Sequence, residues 1–447
     1  PNSVERSNVS LSNGAGVDVT ASDGGSIAVN ARNLEMTGRS FLFAGIESGL
    51  GSDNSKAGNI SVNATGAINL NNRSSIANLV RAEASGQGGD VSISASTLQV
   101  KGGAQVGTST LSAGKGGNLS VDAKYVQLIG TSADGQIASA LGTGAQSNST
   151  GDAGDLTIRT NTLLVKDGAQ VFTATFGSGN GGNLSVDAQN VQLIGFYAET
   201  PSVYTPSGLF ANADIDAIGN GGNITIEAHK LLVQDAALIF AGTRTDLTSP
   251  SNGGSVTINV QQLRLQNGGQ IGTGTRSAGR GGNLQVNADT VELVGFRLVG
   301  TDKYPSSLFS DSIAEVTGDA GDLTIKTNTL LVQDEAQISV ESSGTGTAGS
   351  MTLNARSIRL DNNALLSANT QSAKIDPNRE QATININSRD LIMRRGSNIF
   401  TNATGENVIG GNINIDTDVL AAVENSDISA NSANFRGGNV RITAQGI

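Results

Sequence analysis

The chain has 447 residues and a net charge of −11, with 59 glycines, 6 prolines, one histidine and no cysteine. Without cysteine, disulfide scaffolds, thiolate metal sites, iron–sulfur clusters and cysteine nucleophiles are excluded. The acidic balance argues against nucleic acid or an anionic membrane surface as a partner, and no run of 18 apolar residues predicts a membrane-spanning helix. Aromatic residues make up only 3 % of the chain, so a large core built on rings is not expected.

One motif recurs in chain order from residue 27 onwards. It consists of Gly, then Asn, Asp or Ser, then an apolar–any–apolar–any–small pattern, as in GNLSVDA at 117–123 and GNITIEA at 222–228. The copies are about 32 residues apart, a period typical of solenoid proteins. The first apolar residues of the 14 copies are Ile27, Ile60, Val91, Leu119, Leu156, Leu184, Ile224, Val256, Leu284, Leu323, Met351, Ile384, Ile413 and Val440.

Each copy carries further apolar residues at fixed offsets from this first one. A second pair lies at +7 and +9, as in Leu163 and Val165, and a third apolar residue lies at +15, as in Val171. Period-2 spacing within each group predicts three short strands per copy. Asp167-Gly168 lies between the second and third strands, and these residue types suit a tight corner.

A copy of this size cannot bury its own apolar face, but stacked copies can. We therefore predict an all-β fold, a parallel β-helix with three-stranded coils and about 14 coils, with little or no helix. Leu119, Leu156 and Leu184 should then share one buried column. The prediction is a single β-solenoid domain over residues 1–447, with a partial coil at 9–23, thirteen coils at 24–437 and a partial coil at 438–447. Because both ends fall within a coil, we expect a slice of a longer parent chain or a unit that stacks end to end with other copies.

Three other repeat architectures fit the pattern less well. A propeller blade needs four strands in 40–45 residues and aromatic signatures that are missing here. Leucine-rich repeats have one strand per repeat and an Asn-containing consensus. A calcium-loaded β-roll needs Gly-Gly-x-Gly-x-Asp, whereas Gly-Gly is followed here by Asn-Leu-x-Val.

The phrases GGNLSVDA…VQLIG and GDLTI…TLLVKDGAQV resemble the haemagglutinin-type repeats of filamentous-haemagglutinin-like exoproteins, and look most like the cyanobacterial members. The resemblance covers residues 9–447. It implies a right-handed β-helix, export by two-partner secretion, an extracellular or cell-surface location, and a role in adhesion or in fibres. The sequence has no Asn-Pro-Asn-Gly motif of the kind found in the family's secretion domain, so export is expected from the resemblance alone.

Three copies depart from the frame after the phrase Val-Gln/Glu-Leu-Ile/Val-Gly, where extra residues precede the third strand. Insertions of this kind lie on one face of a solenoid, often the binding face. The step from the second strand to the third-strand apolar residue predicts three extra residues between Leu128 and Ile137, ten between Leu193 and Leu209, and nine between Leu293 and Leu308.

The two long insertions and the strands after them hold 7 of the 15 aromatic residues. Such rings can stack on sugars or on partner proteins. They could also fold down onto the solenoid wall or pack between neighbouring rods. We predict that the two loops form one aromatic patch that contacts a glycan or a protein. The residues are Phe196, Tyr197, Tyr204, Phe210, Phe296, Tyr304 and Phe309.

These features predict a structural protein rather than an enzyme, with no cofactor, no metal and no catalytic residues: a secreted β-solenoid rod, as a fibre segment or surface adhesin. The alternative is a polysaccharide-processing β-helix enzyme, a lyase or hydrolase, for which the spaced pair Asp214 and Asp216 is a candidate. A lateral groove with three or more ionisable side chains would favour the enzyme. His229 is expected to be solvated.

A third alternative is an ice- or mineral-binding face. It would need a regular outward array of threonines, and Thr173, Thr175, Thr273 and Thr275 suggest one locally. Asp122 and Asp187 of the SVDA phrases are expected to face outward and to keep the protein soluble.

Overall fold

The structure is a computed structural model that describes residues 5–200, 203–245, 248–313, 315–371 and 382–446. The chain divides into two compact units, Pro1–Ile224 and Thr225–Ile447. In the described ranges each unit is built of stacked parallel β coils, with no α-helix and hence no helical segment long and apolar enough for a bilayer. The predicted all-β parallel β-helix is confirmed, with about 13 turns against the expected 14. The right-handed sense of the β-helix and the single-domain organisation stay predictions.

The first unit is formed by twenty strands in its described part. They are β1 (Val9–Leu11), β2 (Gly16–Asp18), β3 (Ile27–Ala31), β4 (Leu34–Met36), β5 (Phe41–Ile46), β6 (Gly51–Lys56), β7 (Ile60–Ala64), β8 (Ala67–Leu70), β9 (Ser75–Val80), β10 (Ser85–Gln87), β11 (Val91–Lys101), β12 (Gln105–Thr110), β13 (Leu119–Ile129), β14 (Ala140–Ala145), β15 (Leu156–Lys166), β16 (Gln170–Thr175), β17 (Leu184–Ile194), β18 (Phe196–Thr200), β19 (Val203–Pro206) and β20 (Gly208–Ala213).

The second unit follows the same pattern. Its strands are β21 (Ile224–Gln234), β22 (Leu238–Gly242), β23 (Val256–Gln266), β24 (Gln270–Thr275), β25 (Leu284–Val294), β26 (Phe296–Val299), β27 (Asp302–Pro305), β28 (Ser307–Ser312), β29 (Leu323–Gln333), β30 (Gln337–Ser342), β31 (Ser350–Asp361), β32 (Leu365–Ser367), β33 (Thr383–Arg394), β34 (Asn398–Phe400), β35 (Asn412–Ala422), β36 (Asp427–Ser429) and β37 (Val440–Gly446).

Most coils contain one long strand and one short strand, rather than three short ones. In β15 the predicted first and second strands join into 11 continuous residues. The two strands stay separate only in the early coils, where β3 is followed by β4 and β7 by β8. Arg32-Asn33 and Thr65-Gly66 lie at those breaks.

Like side chains meet along the stack, as the sequence predicts. In the first unit Leu119 pairs in register with Leu156, and Leu156 pairs with Leu184. All three are fully buried. Parallel strands lie about 4.8 Å apart, so each leucine contacts the ones above and below it. Near the start of the chain Val9 pairs with Leu34 and Val17 with Leu42, which lie at offsets +7 and +15 of the Ile27 copy.

The glycine before most copies allows the backbones of successive coils to approach closely; the Ile384 copy has Ala382 in its place. A Cβ atom on Gly117 would come within 3.0 Å of the carbonyl oxygen of Gly89, and one on Gly154 would do the same at Gly117. None of these residues has a positive φ, so the constraint is space between coils. The same contact recurs at Gly89, Gly182 and Gly222 in the first unit and at Gly282, Gly321 and Gly349 in the second.

The Asn or Asp that follows this glycine forms a polar ladder along the corner. The backbone N–H of Asn118 donates to Asp90 Oδ1 at 2.8 Å, and the N–H of Asp155 donates to Asn118 Oδ1 at 2.9 Å. Asn183 and Asn223 continue the series at 2.8 and 3.1 Å. Each coil therefore satisfies a backbone donor of the next one, which explains the Gly-Asn/Asp part of the motif.

The four threonines that suggested an outward array locally face inward. Thr173, Thr175, Thr273 and Thr275 are all buried, because their offsets share the parity of the inward residue at +15. Thr273 Oγ1 donates to the carbonyl oxygen of Gly282 at 2.6 Å. The hydroxyl groups of Thr175 and Thr275 likewise bond to backbone carbonyls at the glycine corner, and none of the four threonines is available to an external surface.

Candidate functional site

All three insertions leave the coil at the same point and have the same base. Gly130, Gly195 and Gly295 end the long strands at φ values of 67°, 73° and 72°, a left-handed conformation that favours glycine. The chain returns at a buried serine in each case: Ser139, Ser207 and Ser306. The N–H of each serine donates to the carbonyl oxygen of the corresponding glycine, at 2.9, 3.0 and 2.8 Å.

The serine hydroxyl links the base of the insertion to the end of the preceding long strand and to the coil before it. Ser207 Oγ donates to the carbonyl oxygen of Ile194 at 2.9 Å and accepts from the N–H of Gly168, one coil earlier, at 2.9 Å. In the second unit Ser306 bonds in the same way to Val294 at 2.7 Å and to Gly268 at 3.0 Å. We name this arrangement, formed by Ser139, Ser207 and Ser306, the serine clamp.

Replacing Ser207 with alanine is expected to lower the free energy of unfolding by about 1–3 kcal/mol, because the buried N–H of Gly168 loses its acceptor. Urea denaturation measures the change. Ser94→Ala, at an exposed strand position, is the control and should leave the stability within about 0.5 kcal/mol of the original chain. Equal stabilities for the two variants would contradict a role for the serine clamp.

The short insertion is longer than the sequence frame predicts. Leu141, and not Ile137, is the inward residue of the third strand, since it pairs in register with Val106 and with Val171. Ile137 lies in the loop, where its N–H donates to Ser132 Oγ at 3.0 Å. The frame was misassigned because an apolar loop residue occurred before the true strand.

In the first unit the long insertion is an antiparallel hairpin, β18 with β19. Phe196 and Tyr204 lie edge to face with ring centroids 5.6 Å apart. Tyr197 lies against the solenoid wall, since its Cβ and its hydroxyl occupy the space beside Gly168 and Gly135 respectively. Phe210 is not in the hairpin: it belongs to β20 and is only 7 % exposed. Of the four predicted contact residues here, Phe210 is thus buried although it lies at an outward strand position, and Tyr197 packs against the wall.

The second unit has the corresponding hairpin, β26 with β27, and its apolar side is more exposed. Phe296 is 36 % exposed and Leu298 is 58 % exposed. Lys303 Nζ lies 4.2 Å from the centroid of the Phe296 ring and forms an ion pair with Glu335. The hairpin is therefore held to the coil that follows it while it keeps an apolar surface in solvent.

The two remaining predicted residues of the second unit lie at or below the hairpin base. Tyr304 is in β27, where it pairs with Arg297 and is partly exposed. Phe309 is in β28, with its ring over Gly272 and stacked on Phe240 at 6.1 Å. The first hairpin brings Phe196 and Tyr204 together, whereas in the second hairpin Phe296 pairs with Pro305 and Tyr304 with Arg297, on opposite faces. The single patch formed by both hairpins stays a prediction.

A shallow groove in the first unit was missed by the sequence analysis. It lies on the outer face of the short strands and contains two adjoining cavities of about 310 and 280 Å³, which share Gln105, Ala140 and Phe172. Thr205 of the hairpin and the short insertion line one end. The groove could have been detected in the sequence from the outward residue at offset +16, which is Phe in some copies and Gly in others.

The charged residues singled out from the sequence are dispersed. Asp122, Asp187 and His229 are exposed, as expected. Asp214 and Asp216 flank a turn after β20, where Asp214 Oδ1 accepts the N–H of Ile215 at 3.0 Å. In the described part of the chain no three acidic or histidine side chains gather as a metal site would require.

Two clusters of charge in the second unit were not predicted. Asp361 is almost fully buried and bonds to Arg395 Nε at 2.6 Å and to Arg359 Nη2 at 3.0 Å. These bonds, that from Arg395 above all, hold its pKa at about 2, against burial, which raises it. Both arginines of the basic pair form ion pairs: Arg395 with Asp361, and Arg394 with Glu424 at 2.8 Å.

The second cluster contains two carboxylates on adjacent strands. Asp311 of β28 pairs in register with Glu341 of β30. Burial, reinforced by the Glu341 charge, raises the pKa of Asp311 to about 8, although the N–H of Glu341 and the hydroxyl of Ser339 bond to it at 3.2 and 3.3 Å. A carboxyl group protonated near neutral pH is one feature of a general acid.

Comparison with known proteins found no matching family model, no matching curated protein and no matching solved structure.

Proposed function

We propose that this chain is a non-enzymatic segment of an extracellular structural protein, a fibre component or a cell-surface adhesin, that presents loops to a partner. Its resemblance to filamentous-haemagglutinin-like exoproteins supports export by two-partner secretion and a location outside the cell. The partners are surface glycans or proteins, and further coils of the same kind from a parent chain or from another copy.

The observation that carries this proposal is the shared construction of the insertions. They leave three different coils through the same glycine and serine clamp, so the same type of scaffold supports different projecting loops. The scaffold itself is held by backbone bonds between coils and by buried aliphatic columns. Binding residues are commonly placed on loops that a rigid scaffold positions.

The exposed apolar surface of the β26–β27 hairpin supports a contact role for it. Phe296 and Leu298 expose large apolar side chains beside the Lys303 ammonium group. An apolar surface with a cation at its edge suits a partner that offers both an apolar face and hydrogen-bond acceptors. Sugars and proteins both meet this description.

The test replaces each hairpin by the tight corner of an ordinary coil. Residues 196–206 or residues 296–305 are exchanged for one glycine, so that the serine clamp closes directly. The double variant carries both replacements. We expect the adhesion of beads coated with it, to a glycan array and to a panel of bacterial and host cells, to be at least about tenfold weaker than that of beads coated with the original chain. Phe296→Ser with Leu298→Ser tests the second hairpin without deleting it.

Folding controls accompany this test. Circular dichroism and urea denaturation should show both shortened chains folded, because ordinary coils close in the same way with Asp167-Gly168. Full adhesion by a folded double variant would overturn a binding role for the hairpins.

A further inference from the structure

The outer face of the short strands in the first unit has a gap between two phenylalanines. Residues at one outward position pair in register from strand to strand, in the order Phe43, Ala77, Gly107, Gly142 and Phe172. At about 4.8 Å per strand, the two phenylalanines are about 19 Å apart along the stack. Between them no side chain is larger than a methyl group.

The gap cannot be closed by larger residues at its glycines. A Cβ atom on Gly107 would come within 3.0 Å of the carbonyl oxygen of Gly142, and one on Gly142 would overlap the Phe172 ring. The far end of the Phe172 ring therefore covers Gly142 at one end of the gap. We name the floor formed by Ala77 and Gly107, with Phe172 over Gly142 as its wall, the glycine groove.

The sides of the glycine groove carry uncharged hydrogen-bonding groups. Gln146 Nε2 donates to Ser109 Oγ at 3.0 Å, and Ser109 Oγ donates to the carbonyl oxygen of Gly144 at 3.1 Å, which positions the amide at the rim. Gln105 and Gln170 line the other side. None of the described lining residues is ionisable. In a chain with 67 charged residues, this neutrality selects against charged ligands.

We propose that the glycine groove binds a neutral oligosaccharide. An aromatic face packs against the C–H face of a sugar ring, and amide and hydroxyl groups exchange hydrogen bonds with sugar hydroxyls. The joined cavities of about 310 and 280 Å³ are of the size that small-ligand sites have. This inference deepens the proposed function, since it names the ligand class, but the groove is separate from the hairpin surface of the second unit.

The test measures direct binding by the purified chain. Neutral cello-, xylo-, manno- and galacto-oligosaccharides of four to six units are titrated by calorimetry and by ligand-observed NMR, with oligogalacturonate as the anionic counterpart. We expect at least one neutral series to bind and oligogalacturonate not to bind. Phe172→Ala should weaken binding at least tenfold. Ala77→Trp fills the floor from an outward position and should abolish binding.

Phe309→Ala is the matched control, because Phe309 lies over Gly272 as Phe172 lies over Gly142 but belongs to the other unit. It should bind the sugar as the original chain does. Failure of every neutral series to bind, preference for oligogalacturonate, or unchanged binding by both Phe172→Ala and Ala77→Trp would overturn the proposal.

The outcome separates this proposal from the proposed function. Sugar binding by the original chain, together with full adhesion by the folded chain that lacks both hairpins, would support the groove and contradict the adhesive role of the hairpins. Adhesion that depends on the hairpins, without sugar binding, would overturn the groove alone.

Discussion

Alanine at Gly117 is expected to lower the free energy of unfolding by at least about 3 kcal/mol. The new Cβ would lie within 3.0 Å of the carbonyl oxygen of Gly89, and this is backbone that cannot rotate away. Relief would need the two coils to separate, which would also disturb the Asp90–Asn118 step of the polar ladder. Because each coil of a solenoid contacts mainly its neighbours, the damage should be local.

Gly116→Ala is the matched control, one residue away in the same Gly-Gly pair. A Cβ there would meet its nearest neighbour, the backbone nitrogen of Gly154, at 3.5 Å, an ordinary contact. We expect a change below about 1 kcal/mol. Urea denaturation gives the stabilities, and hydrogen exchange should show faster opening of β11, β13 and β15 only in Gly117→Ala. Similar destabilisation by both variants would show that the close approach between coils is not what selects glycine.

The pH dependence of stability should be altered strongly by Asp311→Asn. Since the pKa of Asp311 is raised to about 8 in the folded state, this state binds more protons than the unfolded chain between about pH 4 and pH 8. Stability contributed by this group is therefore lost as pH rises through that window, at up to about 1.4 kcal/mol per pH unit. The asparagine variant should match the original chain near pH 4 and exceed its stability at pH 8.

Asp361→Asn provides a control of opposite sign. The pKa of Asp361 is lowered to about 2 by Arg395 and Arg359, so its contribution is complete above about pH 4 and lost only in more acidic solution. This variant should be less stable by a constant amount from pH 5 to pH 8. Denaturation at several pH values measures both profiles, and parallel curves for Asp311→Asn and the original chain would contradict a raised pKa at Asp311.

The repeat frame predicted the core correctly because it depends on a short-range rule. Side chains two apart in a strand share a face, so the apolar residues at 0, +2, +7, +9 and +15 had to face inward in every coil. The fully buried column Leu119, Leu156 and Leu184 follows from that rule together with stacking. Asp122 and Asp187 were placed outward by the same argument.

The same rule gave wrong answers where a choice depended on several coils. Ile137 fitted the apolar offset in its own coil, and only pairing with Val106 and Val171 identifies Leu141 as the strand residue. Thr173 and Thr273 were considered for an outward array, and the parity rule, had it been applied to them, would have placed them inside. Strands one and two are joined in most coils, which the apolar offsets alone do not reveal.

The candidate site could be predicted only in part. Insertions after Gly195 and Gly295 were visible as departures from the period, and their aromatic residues were visible in the composition. The burial of Phe210 and the packing of Tyr197 on the wall were not, since they depend on which side of the strand faces the loop. The glycine groove was missed because its floor consists of residues that carry almost no side-chain chemistry.

The sequence by itself determined the stacked parallel coils, the inward aliphatic columns and the glycine and asparagine corners. Each of these depends on a regular offset that every coil repeats, so one chain holds many copies of the same information. Only the tertiary structure decided how the insertions close on their serine clamps, which aromatic rings stay exposed, and where Phe43 and Phe172 leave a groove between them. Those features depend on contacts between unlike residues in neighbouring coils, and such contacts exist only once the stack has formed.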